Sequence, residues 1–131
     1  MQQNAAFTAE AYKRQQVMTA TPEALTLMLY NGALRFMTEG IEAIRNKDYE
    51  KTNTSLIKAQ NIISEFRITL KMEYEISHQL LPLYNYVYDC LGEANMKSSI
   101  EKVEEAKEIV TELRNTWNEA MKIARKEKGV S

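Results

Sequence analysis

Apolar side chains recur at every third or fourth position through the middle of this chain. Between residues 49 and 70 the spacing is unbroken, and the stripe reads Tyr49, Thr52, Leu56, Ala59, Ile63, Phe66 and Leu70. Residues spaced in this way share one face of an α-helix, so the pattern predicts an amphipathic helix of about six turns. Gly occurs only four times and Pro twice in 131 residues, which is too little turn chemistry for an all-β fold. The sequence therefore predicts an all-α protein.

Helix-start signals divide the rest of the chain. Thr21 is a favoured N-cap and Pro22 fits the first helical position. Asp48 can cap the next helix, and Ser98 with Glu101 three residues later has the spacing of a capping box. With the apolar stripes that follow these signals, helices are predicted at about 22–45, 48–70, 78–95 and 99–127.

Short connections between the four predicted helices place sequential neighbours antiparallel, which indicates an up-down four-helix bundle. A chain of 131 residues fits one such domain, over 1–131. The third helix is the least regular, because Tyr84, Tyr86 and Tyr88 alternate as in a strand and Pro82 removes one backbone donor. Residues 1–20 show only weak periodicity, so we expect an irregular or short-helical segment, partly mobile or lying on the body.

The first predicted helix has two adjoining apolar stripes instead of one. The first stripe is Leu27, Tyr30, Leu34, Met37, Ile41 and Ile44, and the second is Leu25, Leu29, Ala33, Phe36 and Ala43. Together they cover an arc of roughly 200°, about twice the stripe of an ordinary surface helix. Two explanations stay open: the helix is covered by its own chain, or it forms a groove for a helix or extended segment of a partner.

Charge and composition exclude several classes of function. Lys and Arg total 17 against 18 for Asp and Glu, so the chain has no basic footprint for nucleic acid. No run of 18 apolar residues predicts membrane insertion, and no leader sequence is evident. Cys90 is the only cysteine, which rules out an internal disulfide. These features favour a cytosolic protein.

The residues that could carry out catalysis are few. A di-metal bundle needs two Glu-x-x-His pairs, but the chain has one, Glu75 to His78, and no second histidine. Cys90 lies about 18 Å of helical rise from His78, so the two cannot form a catalytic pair within one helix. No glycine-rich phosphate loop occurs. We expect no enzyme, metal or cofactor, with a degenerate metal bundle around Glu75 and His78 as the enzymatic alternative.

The segment from Tyr12 to Ala33, YKRQQVMTATPEALTLMLYNGA, resembles the flagellar secretion chaperone family FliS. Members of that family carry a Tyr-Gln type start, a Thr-Ala-Ser/Thr-Pro cap and a Leu-Tyr-Asp/Asn-Gly helix. The similarity continues in the segments 58–63, 83–86 and 93–95 and at Leu113, Arg114 and Trp117. It covers about residues 10 to 125.

The resemblance implies a cytosolic four-helix chaperone that binds the disordered C-terminal region of flagellin. Such a protein prevents premature polymerisation and assists delivery to the flagellar type III export gate, without catalysis. By the same analogy the N-terminal segment lies against the bundle and exchanges with substrate. The expected partner contacts are Tyr12, Val17, Met18, Leu25, Met28, Leu29 and Phe36, with Ile57 and Ile68 as outlying members. A homodimer of the free protein is also expected, and a general helical adaptor that binds another amphipathic helix is the alternative function.

Overall fold

The computed structural model describes the backbone of residues 2–130 and the side chains of residues 10–129. It contains α1 (Gln2–Thr19), α2 (Pro22–Arg45), α3 (Tyr49–Thr69), α4 (Glu75–Lys97) and α5 (Ile100–Val130). No strand occurs within the described range, so the prediction of an all-α protein is confirmed.

The helix starts of α2 and α3 follow from their caps. The Thr21 hydroxyl accepts the Ala24 N–H at 3.2 Å, with Pro22 in the first turn. The Asp48 carboxylate accepts the Lys51 N–H at 3.1 Å. Each cap satisfies a backbone donor that has no partner inside its helix, which fixes where the helix begins.

The capping box predicted at Ser98 is wrong by one residue. Ser98 has a left-handed backbone with φ of 52° and ends α4, where its N–H donates to the Ala94 carbonyl. The neighbouring Ser99 then caps α5, because its hydroxyl accepts the Lys102 N–H at 3.3 Å. A connection of only two residues leaves the first to close one helix and the second to open the next.

Helix α4 begins at Glu75 and runs through Pro82, although we expected a start near residue 78. Pro82 has no N–H to donate to the carbonyl of His78, one turn earlier. The entry is instead held by the connection before it: the Ser77 hydroxyl donates to the Lys71 carbonyl at 2.7 Å, and His78 Nε2 lies 2.9 Å from the Met72 carbonyl.

Four helices close a ring around the core. Helix α2 packs on α3 and α5, and α4 packs on the same two helices from the opposite side. Every one of the four contributes buried side chains, among them Met37, Leu56, Ile63, Val87, Leu91, Val103 and Val110. Connections of three, five and two residues, at 46–48, 70–74 and 98–99, join these neighbours in sequence.

Three aromatic rings stack through the centre of the ring of helices. The Phe66 ring lies 4.5 Å from the Tyr30 ring and 5.5 Å from the Tyr84 ring, measured between centroids. The two tyrosine hydroxyls hydrogen-bond to each other at 2.8 Å. Burial raises the pKa of both phenols, so they remain neutral and can share this bond.

Helix α1 differs from the irregular or short-helical segment that we expected, because it is a continuous helix of 18 residues. Its sequence is rich in good helix formers such as Ala, Gln, Lys and Arg, but it has no apolar stripe. The described side chains from Glu10 to Thr19 are exposed, and α1 does not join the ring formed by α2 to α5. Local propensity therefore forms the helix, and nothing in its pattern binds it to the body.

Candidate partner-binding surface

The wide apolar arc of α2 is only partly used by the core. Tyr30, Ala33, Leu34, Met37, Ile41 and Ala43 are buried. Leu29 and Phe36 are half-buried at the edge of the core, whereas Leu25 and Met28 are 36% and 38% exposed. The first two turns of α2 thus present apolar side chains that no other helix covers completely. Single exposed apolar residues are ordinary, but contiguous ones indicate an interaction site.

Helix α3 covers the far half of this stripe. The Phe36 ring lies 5.0 Å below the Arg35 guanidinium and 5.5 Å from the Lys58 ammonium, both in cation–π geometry. A Cβ atom added at Gly32 would lie 3.5 Å from the Ile62 side chain, so α3 passes close to α2 at this point. The open part of the stripe is therefore at the beginning of α2, around Leu25.

The remaining predicted contacts lie elsewhere. Tyr12, Val17 and Met18 are exposed on α1, as are the other described side chains of this helix from Glu10 to Thr19. Ile57 and Ile68 are exposed on the side of α3 that faces away from its buried stripe. The nine predicted residues thus lie in three places: on α1, on α2 between Leu25 and Phe36, and on the outer face of α3.

A cleft that the sequence did not predict lies between the beginning of α2 and the second half of α5. It has a volume of about 460 Å³ and is lined by Thr21, Glu23, Ala24, Leu27, Trp117, Asn118, Met121, Ala124, Arg125 and Lys128. Two hydrogen bonds join these helices beside it. The Trp117 indole N–H donates to the Glu23 carbonyl at 3.2 Å, and the Arg114 guanidinium donates to the Asn31 side chain at 3.2 Å.

The sequence analysis placed Leu27 on an apolar stripe of the first helix but did not predict a cleft beside it. Leu27 and Trp117 are partly buried and line the cleft together with two small residues, Ala24 and Ala124. The gap opens because these short side chains do not fill the space between α2 and α5. The pairing of two small residues 100 positions apart becomes visible only when the two helices are placed side by side.

The polar side chains between residues 10 and 129 do not assemble a reactive site. Burial raises the pKa of the Cys90 thiol, which keeps it protonated and poorly nucleophilic. His78 is on the exposed entry of α4, bonded to a backbone carbonyl. Across residues 10–129 no cluster of three or more His, Cys, Asp or Glu side chains is arranged to hold a metal ion.

Ion pairs on the outside of α4 and α5 are structural. The Lys102 ammonium lies 3.7 Å from the Glu93 carboxylate and 3.5 Å from the Glu105 carboxylate, and the Tyr86 hydroxyl donates to Glu105. Lys102 lowers the pKa of Glu93 together with Lys97, whose hydrogen bond is the larger cause. Exposed pairs of this kind contribute little individually, so they support the α4–α5 contact and do not form a catalytic centre.

Taken with the helical ring, these features define a class of protein: a helical scaffold that leaves apolar side chains of α2 uncovered by its own helices. None of the helices within the described range combines the length and apolar content that crossing a membrane requires.

Comparison with known proteins identifies the family within this class. The model of the family "Flagellar protein FliS" matches residues 3–124. The chain is 43% identical over 118 residues to the flagellar secretion chaperone FliS of Bacillus subtilis (strain 168), covering 90% of this chain and 89% of that protein. It is 32% identical over 121 residues to the protein of the same name from Campylobacter jejuni, covering 91% of this chain and 93% of the relative. The chain belongs to the FliS family of flagellar secretion chaperones.

A solved structure supports the fold. The crystal structure of a flagellar chaperone from bacteria superposes with a TM-score of 0.72 and covers 88% of this chain and 98% of that one, at 15% sequence identity. The predicted family is thus confirmed, and membership in it makes the protein a chaperone and not an enzyme.

Proposed function

We propose that this chaperone serves flagellin: it binds the disordered C-terminal region of flagellin in the cytosol, prevents premature polymerisation and assists delivery to the flagellar type III export gate. One observation supports the proposal most directly. Leu25, Met28 and, in part, Leu29 remain outside the core at the beginning of α2, where they form an apolar stripe that another chain can cover.

The mechanism is temporary burial of apolar surface. A segment that assembles by packing amphipathic helices is an aggregation hazard while it is free, and a chaperone that covers the same apolar side chains removes the hazard. Folding a disordered segment on binding costs about 2–5 kcal/mol. The apolar area buried in the complex must offset this cost. The resulting affinity is moderate for the area covered, which suits a substrate that must be released.

We propose the following arrangement of the binding residues. The single domain over 1–131 is an antiparallel up-down four-helix bundle formed by α2 to α5. Substrate contacts are Tyr12, Val17 and Met18 on α1, Leu25, Met28, Leu29 and Phe36 on α2, and Ile57 and Ile68 on the outer face of α3. A substrate that touches all three patches must run around the molecule, with α1 folding onto it; the free protein pairs as a homodimer.

The proposal is tested by calorimetry with a peptide that covers the C-terminal region of the cognate flagellin. We expect a one-to-one complex, a negative heat-capacity change and a gain of helical circular dichroism. Absence of heat at several temperatures contradicts the proposal. An unrelated amphipathic helical peptide is the control, and equal affinity for it identifies a general helical adaptor instead.

The location of the binding surface is tested with two matched substitutions. Met28→Glu places a charge on the open stripe of α2, whereas Met96→Glu makes the same change on α4, where the side chain is 85% exposed. Burying a new carboxylate is unfavourable, so Met28→Glu should weaken binding by at least about tenfold, and Met96→Glu should change it less than about twofold. Equal effects of the two substitutions place the surface elsewhere.

A further inference from the structure

The cleft between α2 and α5 combines an apolar floor with a rim of charged residues. Leu27, Trp117, Met121 and Ala124 form the floor. Arg125 and Lys128 stand on the α5 side, and Glu23 stands on the α2 side. An apolar pocket bordered by a few charged groups is the usual construction of a site that fixes the orientation of its ligand.

Arg125 has unused hydrogen-bonding capacity. Its Nε donates to the Met121 carbonyl at 3.3 Å, which holds the side chain along the helix. Within the described range its guanidinium forms no ion pair, so the terminal nitrogens can donate to a ligand. A guanidinium presents paired N–H donors in one plane, and this geometry matches a carboxylate.

We propose that this cleft binds the C-terminal end of the secretion substrate, with an apolar side chain on the floor and the terminal carboxylate on Arg125. The inference rests on the proposed function, because a chaperone for a C-terminal region meets the end of a chain. Whatever the sequence of that region, its last residue carries a free carboxylate at neutral pH. A volume of about 460 Å³ exceeds the needs of a carboxylate alone and leaves room for apolar side chains.

Glu23 affects which side of the cleft a ligand carboxylate can occupy. Glu23 lines the cleft from α2 and Arg125 lines it from α5, so a carboxylate of the ligand is disfavoured on the α2 side. The terminal carboxylate is therefore directed to α5. The cleft is distinct from the stripe around Leu25, since Leu27 lies about 200° further around α2 than Leu25. The two surfaces can accept different parts of one substrate.

The experiment tests three proteins, the wild type and two variants, against two peptides. The peptides cover the last 40 or so residues of the cognate flagellin, one with a free C-terminal carboxylate and one with a C-terminal amide. Wild-type protein and Arg125→Gln are titrated with both at low and moderate salt, and circular dichroism verifies the fold of the variant. Lys126→Gln is the matched control, because it removes the same charge one residue away, outside the cleft.

We expect amidation to weaken binding to the wild type by about tenfold, the usual size of a charge-assisted hydrogen bond. Arg125→Gln should weaken binding of the peptide with the free carboxylate by a similar factor. It should leave binding of the amidated peptide unchanged. Lys126→Gln should affect both peptides alike and by less than about twofold.

Three results overturn the proposal. The first is equal binding of the two peptides by the wild type. The second is an equal loss of affinity for both peptides in Arg125→Gln, which indicates that Arg125 binds a side-chain carboxylate and not the terminal one. The third is an effect of Lys126→Gln as large as that of Arg125→Gln, which indicates general charge attraction. If the wild type binds neither peptide, the proposed function itself fails, and this outcome is distinct from the other three.

Discussion

At the scale of single residues, the hydroxyl pair of Tyr30 and Tyr84 shows how a polar contact can be built into an apolar core. The side chains are 4% and 3% exposed, and each hydroxyl finds its partner across 54 residues of sequence. The Phe66 ring, stacked between them, keeps the two phenols aligned. A buried hydroxyl without a partner costs free energy, so the pair specifies how α2 and α4 face each other.

Replacing one tyrosine of the pair tests this account. Tyr84→Phe keeps the aromatic stack but leaves the Tyr30 hydroxyl without its partner, so we expect the free energy of unfolding to fall by about 1–3 kcal/mol. Urea denaturation measures the change. The double variant Tyr30→Phe with Tyr84→Phe removes both hydroxyls and should lose less than the sum of the single variants. Additive losses would show that the hydroxyls do not act as a pair.

At the scale of helices, Gly40 lets α2 approach α3 closely. A Cβ atom at this position would lie 2.6 Å from Cδ2 and 3.1 Å from Cγ of Leu56, which is completely buried. Leu56 belongs to the regular stripe of α3, so its side chain cannot withdraw without leaving the core. The close contact explains a glycine inside a helix, where it is intrinsically unfavourable.

Two glycine substitutions in α2 should therefore have opposite effects. Gly40→Ala gains helix propensity but pushes against Leu56, and we expect a net loss of about 1–2 kcal/mol in the free energy of unfolding. Gly32→Ala is the control, because its Cβ would meet only Ile62 at an ordinary 3.5 Å. It should stabilise the protein by about 0.5–1 kcal/mol. Thermal and urea unfolding of the two variants test the contrast, and a stabilising Gly40→Ala would contradict it.

At the scale of the whole molecule, α1 stands apart from the ring of four helices. An isolated helix of this length is marginal in water, and α1 has no stripe through which the body could support it. Its described side chains, including Tyr12 and Met18, are exposed. The stability of the protein should therefore reside in α2 to α5.

Removal of residues 1–19 tests this division. We expect the truncated protein to unfold with a free energy within about 0.5 kcal/mol of the intact chain, because the described side chains of α1, from Glu10 to Thr19, are exposed. Its helical circular dichroism signal should fall by no more than the signal that the residues of α1 contribute in the intact chain. Val87→Ala in the intact chain is the comparison, since this side chain is fully buried and its truncation should cost at least about 1 kcal/mol. If removal of residues 1–19 lowers the free energy of unfolding as much as Val87→Ala does, α1 packs on the bundle.

Local sequence patterns predict much of the secondary structure of this protein. The stripe from Tyr49 to Leu70 predicted α3, and the caps at Thr21 and Asp48 predicted where α2 and α3 begin, because each signal depends on residues within one or two turns. The segment from Tyr12 to Ala33 pointed to the family. The same local reasoning misplaced the cap at Ser98 and underestimated α1, where two neighbouring serines and a helix without an apolar stripe gave weak signals.

The tertiary structure decided what the wide arc of α2 became. The arc was evident from the sequence, but burial of Ala33 and Ala43, shielding of Phe36 by Lys58 and exposure of Leu25 depend on where α3 lies. The cleft beside Trp117 likewise depends on how α5 passes α2. A helix pattern specifies which side chains are apolar, whereas covering them or leaving a gap is a property of packing between segments far apart in the chain.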